Sequence, residues 1–347
     1  MSVPGKEDRA FIADAFECPR SRAELDVQRR RALAALREIL GTPPFAEKPP
    51  LNPRVMYVAD CGSHFRKKVR YGSEADDVVW AWLLVPKGVT EPRPAVICLP
   101  GSFITPNYGK DGPAGLAGPE NRGHPEAYGL DLARLGYVTL CPDHPVAGER
   151  TTPGLASHDT TELDRRFPTW TRVGLSAWDV GRAVDFLLTV PEVDPRRIGC
   201  TGWSQGGQMA LLGAALETRI AAVASVCGWS PLRGMGGDVA ENNVASCNYP
   251  RLAPYLREGK RLPVDLDAVA ASLAPRPFLD VRATRDEFFA NTEVTRRAHG
   301  EIARAYDLLG AGDRFETSWF PGEHAHNADA ARETQAWFYR WLWKARP

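Results

Sequence analysis

The chain lacks a net charge. Forty-three lysines and arginines balance forty-three aspartates and glutamates across 347 residues, so no global field draws it to nucleic acid or to an anionic membrane. It also lacks any run near the ~20 apolar residues that a membrane span requires. Its opening residues, Met1-Ser2-Val3-Pro4-Gly5-Lys6-Glu7-Asp8, contain no apolar signal region. A cytoplasmic protein with no nucleic-acid partner and no membrane partner is the expectation. No C-x-x-C pair occurs among its seven cysteines, which argues against a zinc site or a disulfide framework. Cys98, Cys141, Cys200 and Cys227 lie in or at the end of apolar runs, where a thiol behaves as a small hydrophobe. Cys18, Cys61 and Cys247 fall in less regular, more exposed segments. There is no internal repeat, no low-complexity tract and no separate second domain, and neither a metal nor a cofactor is expected.

What is present is a core. Hydrophobic residues make up 44% of the chain, and their period changes along it. Residues 22–40 place Leu25, Leu33, Leu36, Ile39 and Leu40 on one side of a helix that Gly41 and Pro43-Pro44 stop. A proline-rich connector follows, so residues 1–50 form an N-terminal helical extension and 51–347 the main domain. Strand candidates at 54–60, 65–71 and 78–85 suggest the antiparallel opening of a mixed sheet. From Ala95 onward, short apolar runs at 95–99, 137–141, 197–201, 220–227, 278–283 and 314–320 alternate with helical patterns near 172–189, 294–309 and 329–344. That rhythm predicts an α/β fold with a doubly wound, mostly parallel sheet. Three segments break the rhythm: 101–126, 143–171 and 228–275. All three leave the carboxyl ends of strands, where open α/β sheets bind ligands, and 228–275 is long enough to be a cap insertion over the site.

The chemistry concentrates at Gly202-Trp203-Ser204-Gln205-Gly206, which joins the run 197–201 to a stretch of good helix formers. A strand that turns sharply into a helix holds the apical serine in a strained conformation, and the flanking glycines admit the close approach this needs. Ser204 is therefore the candidate nucleophile. A serine nucleophile requires a base and an acid that orients it, and in such sheets they follow in the order acid, then histidine. Asp286 lies just past the strand at 278–283; Glu287 is its rival, and Asp280 sits mid-strand. The loop Pro321-Gly322-Glu323-His324-Ala325-His326 offers His324 as the base, with His326 as the alternate. Trp170, Trp203 and Trp229 fall in or beside the expected mouth as substrate-binding candidates. Lys110, Arg233 and Arg251 are cations that an anionic group could meet, or simply solvated surface charge.

With these residues in order the chain resembles the α/β-hydrolase superfamily, and within it the dienelactone-hydrolase-like and acetyl-xylan-esterase-like bacterial esterases. The resemblance runs over roughly residues 50–345. It rests on Cys98-Leu99-Pro100-Gly101 with Gly109-Lys110, on Cys141-Pro142-Asp143 with Gly148-Glu149-Arg150, and on Trp178-Asp179. The elbow, Ala274-Pro275-Arg276-Pro277 and Pro321-Gly322-Glu323-His324 complete it. It implies an α/β-hydrolase fold and a serine esterase that cleaves a carboxylic ester, lactone or thioester of a small molecule through a Ser204 acyl-enzyme. The alternative is a non-hydrolytic enzyme of the same fold, an acyltransferase or a lactonising or cyclising enzyme. Where the family commonly reads His-Gly, this chain reads Pro100-Gly101. Proline has no N–H, so the oxyanion donor on that loop falls to Ser102 or Phe103, with the Gln205 N–H as the second. The oligomeric state stays open, a homodimer included.

Overall fold

Nine strands form one sheet in the order β1-β2-β3-β5-β4-β6-β7-β8-β9. In this computed structural model the described residues are 9–102, 109–116, 127–245, 250–289 and 291–344. The strands are β1 (Arg54–Asp60), β2 (His64–Glu74), β3 (Asp77–Pro86), β4 (Arg93–Leu99), β5 (Val138–Pro142), β6 (Val193–Trp203), β7 (Ala222–Val226), β8 (Phe278–Ala283) and β9 (Phe315–Phe320). β1 to β3 are antiparallel to one another, β3 is antiparallel to β5, and all pairs from β5 through β9 are parallel. The antiparallel entry and parallel body match the expected arrangement. The swap of β4 and β5 puts β6, which leads to Ser204, beside β4 and β7 in the middle of the sheet.

The helices cover both faces. They are α1 (Arg22–Leu40), α2 (Tyr128–Arg134), α3 (Thr161–Arg166), α4 (Arg172–Leu187), α5 (Gln205–Leu216), α6 (Gly237–Ala245), α7 (Ala253–Glu258), α8 (Leu266–Ala271), α9 (Thr292–Leu308) and α10 (Ala328–Phe338). α1 starts where Ser21 Oγ caps the Glu24 N–H and buries Leu25, Leu36, Ile39 and Leu40. α4 starts under a Thr171 cap on Gly174 and is buried along most of its length. The parallel strands are buried on both faces, β4 from Pro94 to Leu99 and β7 and β8 throughout, which is why they read as unbroken apolar runs.

Several elements were not expected from the sequence. α2 fills the crossover from β4 to β5 and buries Tyr128, Leu132 and Ala133. At seven residues it is too short to display a helical period. The segment 228–275 is more helical than its prolines and asparagines suggest, holding α6, α7 and α8. α8 packs on α1, α5 and α9, so its part of the segment covers a face of the sheet, not its carboxyl edge. The expected helix 329–344 ends as α10 at Phe338 and continues as a wider π-helical turn, Tyr339–Lys344. Phe338 and Leu342 both press on Gly199, where an added Cβ would lie 2.8 Å and 2.9 Å from them.

The N-terminal extension is tied to the segment after β7. Phe11 N–H donates to Met235 O at 3.1 Å, Gly234 N–H to Phe11 O at 3.1 Å, and Leu262 N–H to Ile12 O at 2.7 Å. Phe16 N–H donates to Asp267 Oδ2 at 3.0 Å. No described helix is long and apolar enough to cross a membrane.

Candidate active site

β6 delivers Trp203 into the core, and the chain then reverses at Ser204 with φ +55° and ψ −123° before α5 begins at Gln205. A positive φ is costly for any residue with a Cβ and persists only where the surroundings impose it. Here they do. Ser204 N–H donates to Val226 O at 2.9 Å, and Gln208 N–H returns to Ser204 O at 3.0 Å. A Cβ on Gly206 would sit 2.1 Å from Leu99 O, and one on Gly202 2.4 Å from the Gly206 carbonyl carbon. Only glycine at both positions lets the turn lie this close to β4. The Gln205 N–H, in the first turn of α5, has no intrahelical partner and points where negative charge is best accommodated.

Asp286 and His324 meet. Asp286 Oδ2 lies 2.9 Å from His324 Nδ1, and Oδ1 accepts the N–H groups of Phe288 at 3.0 Å and Phe289 at 2.9 Å. Burial works to raise the Asp286 pKa, but the His324 bond and charge, the Phe289 N–H and the Arg282 charge outweigh it and hold the group below the usual carboxylate range. Glu287 accepts the backbone N–H of His324 at 3.2 Å and does not engage the ring. The His324 imidazole is packed against three aromatic rings, with centroids at 5.1 Å for Trp203, 4.9 Å for Phe288 and 5.9 Å for Phe289. Trp203 adjoins Ser204 in sequence, so this contact sets the His324 ring beside the residue that precedes the turn. His326 is buried elsewhere, its ring 4.7 Å from that of Tyr128. The alternation of 324 and 326 indeed sends the two rings to different surroundings.

The loop after β4 is fixed from two sides. Tyr128 Oη donates to Leu99 O, and His144 Nε2 lies 2.9 Å from Pro100 O. Burial, with the Arg172 charge, drives the His144 pKa down to about 3, so the ring is neutral and Nε2–H is the donor. Pinning these carbonyls sets the direction of the peptide that follows. Ser102 lies exposed on it, while Phe103 lies outside the described residues. Neither Tyr128 nor His144 was singled out from sequence, because nothing local marks a side chain that grips a distant carbonyl.

Three other expectations need correction. Trp170 and Trp229 do not line a mouth. Trp170 is buried among Phe45, Phe167 and Trp178, with ring centroids 5.7–6.0 Å away; Trp229 has no exposed surface and packs on Phe278 and His299. Trp203, also buried, forms the wall behind His324. The cations are not free for an anion either. Lys110 is buried between Asp143 at 2.8 Å and Glu149 at 2.7 Å, and Arg233 pairs with Asp265 at 3.0 Å and Asp267 at 2.6 Å. Arg251 donates to the carbonyls of Glu38 and Thr169. The aromatic that does stand open is Phe288, 58% exposed and edge-on to His324. The doublet Phe288-Phe289, two residues past Asp286, was its visible signal.

The family-like motifs at Gly109-Lys110, Asp143, Gly148-Glu149-Arg150 and Asp179 turn out to be braces. Asp143 accepts Lys110 N–H at 2.8 Å and Glu149 N–H at 3.1 Å. Arg150 joins Asp77 to Asp179. Together they tie the loops after β4 and β5 to β3 and α4. Cys227 Sγ, Asp286 and His324 form a group whose donor atoms lie within 4.8 Å of one another. Burial and the Asp286 charge push the Cys227 thiol up to about 12, and the carboxylate and imidazole already bind each other. The neutral thiol and the mutually satisfied carboxylate and imidazole make this a poor cation site.

Comparison with known proteins places the chain among esterase-like folds. A family model for fungal glucuronyl esterases matches residues 172–310, a stretch that includes the elbow and Asp286 but ends before His324. A putative hydrolase, YtaP of Bacillus subtilis, is 24% identical over 61% of this chain and 67% of its own. The 4-O-methyl-glucuronoyl methylesterase of Podospora anserina is 32% identical over 42% of this chain, and the match covers 34% of that enzyme. Among solved structures, a glucuronoyl esterase from Solibacter usitatus superposes with a TM-score of 0.71 at 18% identity, covering 98% of this chain and 99% of its own. A putative acetyl xylan esterase from Bacteroides fragilis gives 0.65 at 19% identity, over 90% and 79% of the two chains. The chain has the α/β-hydrolase fold, as its sequence resemblance implied.

Proposed function

We propose that the protein is a serine hydrolase of carboxylic esters. The observation that carries this reading is the conjunction of Ser204, at φ +55° immediately before α5, with an Asp286-bonded His324 ring packed on Trp203. In the proposed cycle His324 Nε2 takes the Ser204 proton as Oγ attacks the ester carbonyl, and the Nδ1–H to Asp286 steadies the imidazolium. The oxyanion is received by the Gln205 N–H and by an N–H of the loop at Ser102 and Phe103. One such donor contributes on the order of 3 kcal/mol of transition-state stabilisation. His324 returns the proton to the leaving alcohol, and water then releases the acid by the same steps in reverse roles.

The names of the relatives direct the substrate class toward esters of carbohydrates. Phe288, exposed beside His324, supplies an apolar wall against which a sugar ring or alkoxy group would lie. We place the hydrolase domain at 51–347 with residues 1–50 as an extension, and assign any cover over the site to the part of 228–275 that precedes α8. The six described cysteines are unpaired, which supports a reducing compartment such as the cytoplasm.

A fluorophosphonate probe is expected to label the wild type stoichiometrically and to leave Ser204→Ala unlabelled, with hydrolysis reduced on the order of 10⁶-fold. Labelling that survives in the variant would overturn the reading. A panel of acetyl-xylan, methyl glucuronate, aryl and lactone esters then ranks the substrate classes. Transfer of the acyl group to an added alcohol in preference to water would favour the acyltransferase alternative.

A further inference from the structure

Behind the site lies a buried charged cluster that the proposed chemistry does not use. Arg282 and Asp280 project from the same face of β8, two residues apart, and are 2% and 0% exposed. Arg282 Nη1 lies 3.1 Å from Asp280 Oδ2, and His299 Nε2 from α9 lies 2.8 Å from the same oxygen. The guanidinium is 5.8 Å from the ring centroid of Trp229 and 5.6 Å from that of Trp319. Burying an ion pair in a core gains little stability over an apolar filling of equal volume, so the cluster's value must lie in what it holds.

It holds two things. Arg282 also donates to Trp229 O, in the turn that leaves β7. That turn passes through Cys227, at φ +45°, and through Gly228, where an added Cβ would lie 2.4 Å from the Gly207 carbonyl carbon and 2.6 Å from Gln208 N. The first turn of α5 is therefore backed by a turn whose next carbonyl Arg282 fastens. Arg282 is also the penultimate residue of the strand whose following loop carries Asp286, and its charge acts on that carboxylate.

We propose that Arg282, oriented by Asp280 and His299, is a positioning residue that seats the turn at 227–229 against the elbow helix and sets the electrostatic balance of the Asp286–His324 pair. The inference rests on the esterase reading given above. Among the described residues the charged and titratable neighbours of the pair are these. Arg282 and Asp280 come from β8 and His299 from α9 behind them. Cys227, at the end of β7, stays a neutral thiol, Glu287 meets the His324 backbone, and Glu323 and Arg285 are solvent-exposed. Arg282 is the one buried cation of this set.

Removing that cation makes protonation of the pair easier; removing Asp280 leaves the cation uncompensated and makes it harder. Arg282→Met should move the acid limb of kcat/KM to higher pH by roughly half a unit or more and lower kcat about tenfold or more. Asp280→Asn should move the limb the other way. Arg282→Lys should keep the limb in place and lose part of kcat. The doubly neutral Asp280→Asn/Arg282→Met variant guards against misfolding of either single variant, and is expected to lose kcat with little shift of the limb. The His324 ring titration, followed by NMR in the same variants, reads the electrostatic effect without turnover, so an inactive wild type would count against the esterase reading and leave this test standing. Limbs and ring titrations that do not move in opposite directions for Arg282→Met and Asp280→Asn would overturn the proposal, as would a double variant with wild-type kcat.

Discussion

His324 and His326 lie two residues apart, yet one reaches a carboxylate and the other a tyrosine ring. His324→Ala is expected to lower kcat about 10³-fold or more, while His326→Ala, losing its packing on Tyr128, should change stability more than turnover. Thermal melts alongside initial rates separate the two, and equal rate losses would contradict the assignment. Asp286→Asn should likewise cost about 10³- to 10⁴-fold, and Glu287→Gln much less, since Glu287 meets only a backbone N–H. His144 gives a pH prediction. Its pKa falls from 6.5 to about 3 on folding, so between those values the unfolded chain binds a proton that the folded one does not. Stability is then lost as pH falls through that window, at about 1.4 kcal/mol per pH unit from this group. His144→Gln keeps a donor for Pro100 O and should flatten the slope between pH 6.5 and 4 in urea titrations; an unchanged slope would assign the effect elsewhere. At this scale the sequence marked residues whose chemistry is local. Ser204 carried its glycines, Asp286 and His324 their strand ends. Trp170 and Trp229 misled because an indole between strand and loop looks the same from sequence whether it faces a mouth or a core. Arg282 carried no such local mark, because its partners come from the turn after β7 and from its own strand.

Among the elements, long periodic ones were legible and short ones were not. α1, α4 and α9 show full apolar stripes, and β4 and β6 to β8 show continuous apolar runs. α2, α6, α7 and α8, at six to nine residues, complete too few turns to display a period, and tertiary burial decides them instead. Residues 9–21 were legible only as part of the N-terminal extension; their pairing with 233–237 and 261–262 is a long-range fact. That pairing makes a prediction. Deleting residues 1–20 should release the amides of Gly234, Gly237 and Leu262, which now donate to Phe11, Arg9 and Ile12, and their hydrogen exchange should accelerate while that of Ile97 and Cys200 in the central sheet holds. Unchanged exchange at those three amides would show that the extension only decorates the domain.

For the whole molecule, the β1 edge of the sheet is open. β1 is exposed along nearly its entire length, with Val55 at 58%, Met56 at 50%, Tyr57 at 55% and Val58 at 51%, and it pairs on one side only. Open apolar edges recruit further strands, and a formal charge of zero at pH 7 offers no repulsion to prevent it. Static light scattering at rising concentration should show self-association that is strongest near neutral pH and suppressed by Val58→Lys. A strictly monomeric Val58→Lys and wild type alike would mean that the bulge at Met56 already protects the edge.

The order of the strands also governs how the protein comes into being on the ribosome. Ser204 and its elbow belong to the middle of the sheet, whereas His324 follows the outermost strand, β9, whose only strand neighbour is β8. Synthesis at ~5–20 residues per second leaves an interval on the order of ten seconds between the proposed nucleophile and its proposed base. Throughout that interval the nascent chain carries a serine with no partner to take its proton. On the proposed mechanism, premature termination anywhere in it yields a product unable to attack an ester, so competence arrives with the last strand or not at all.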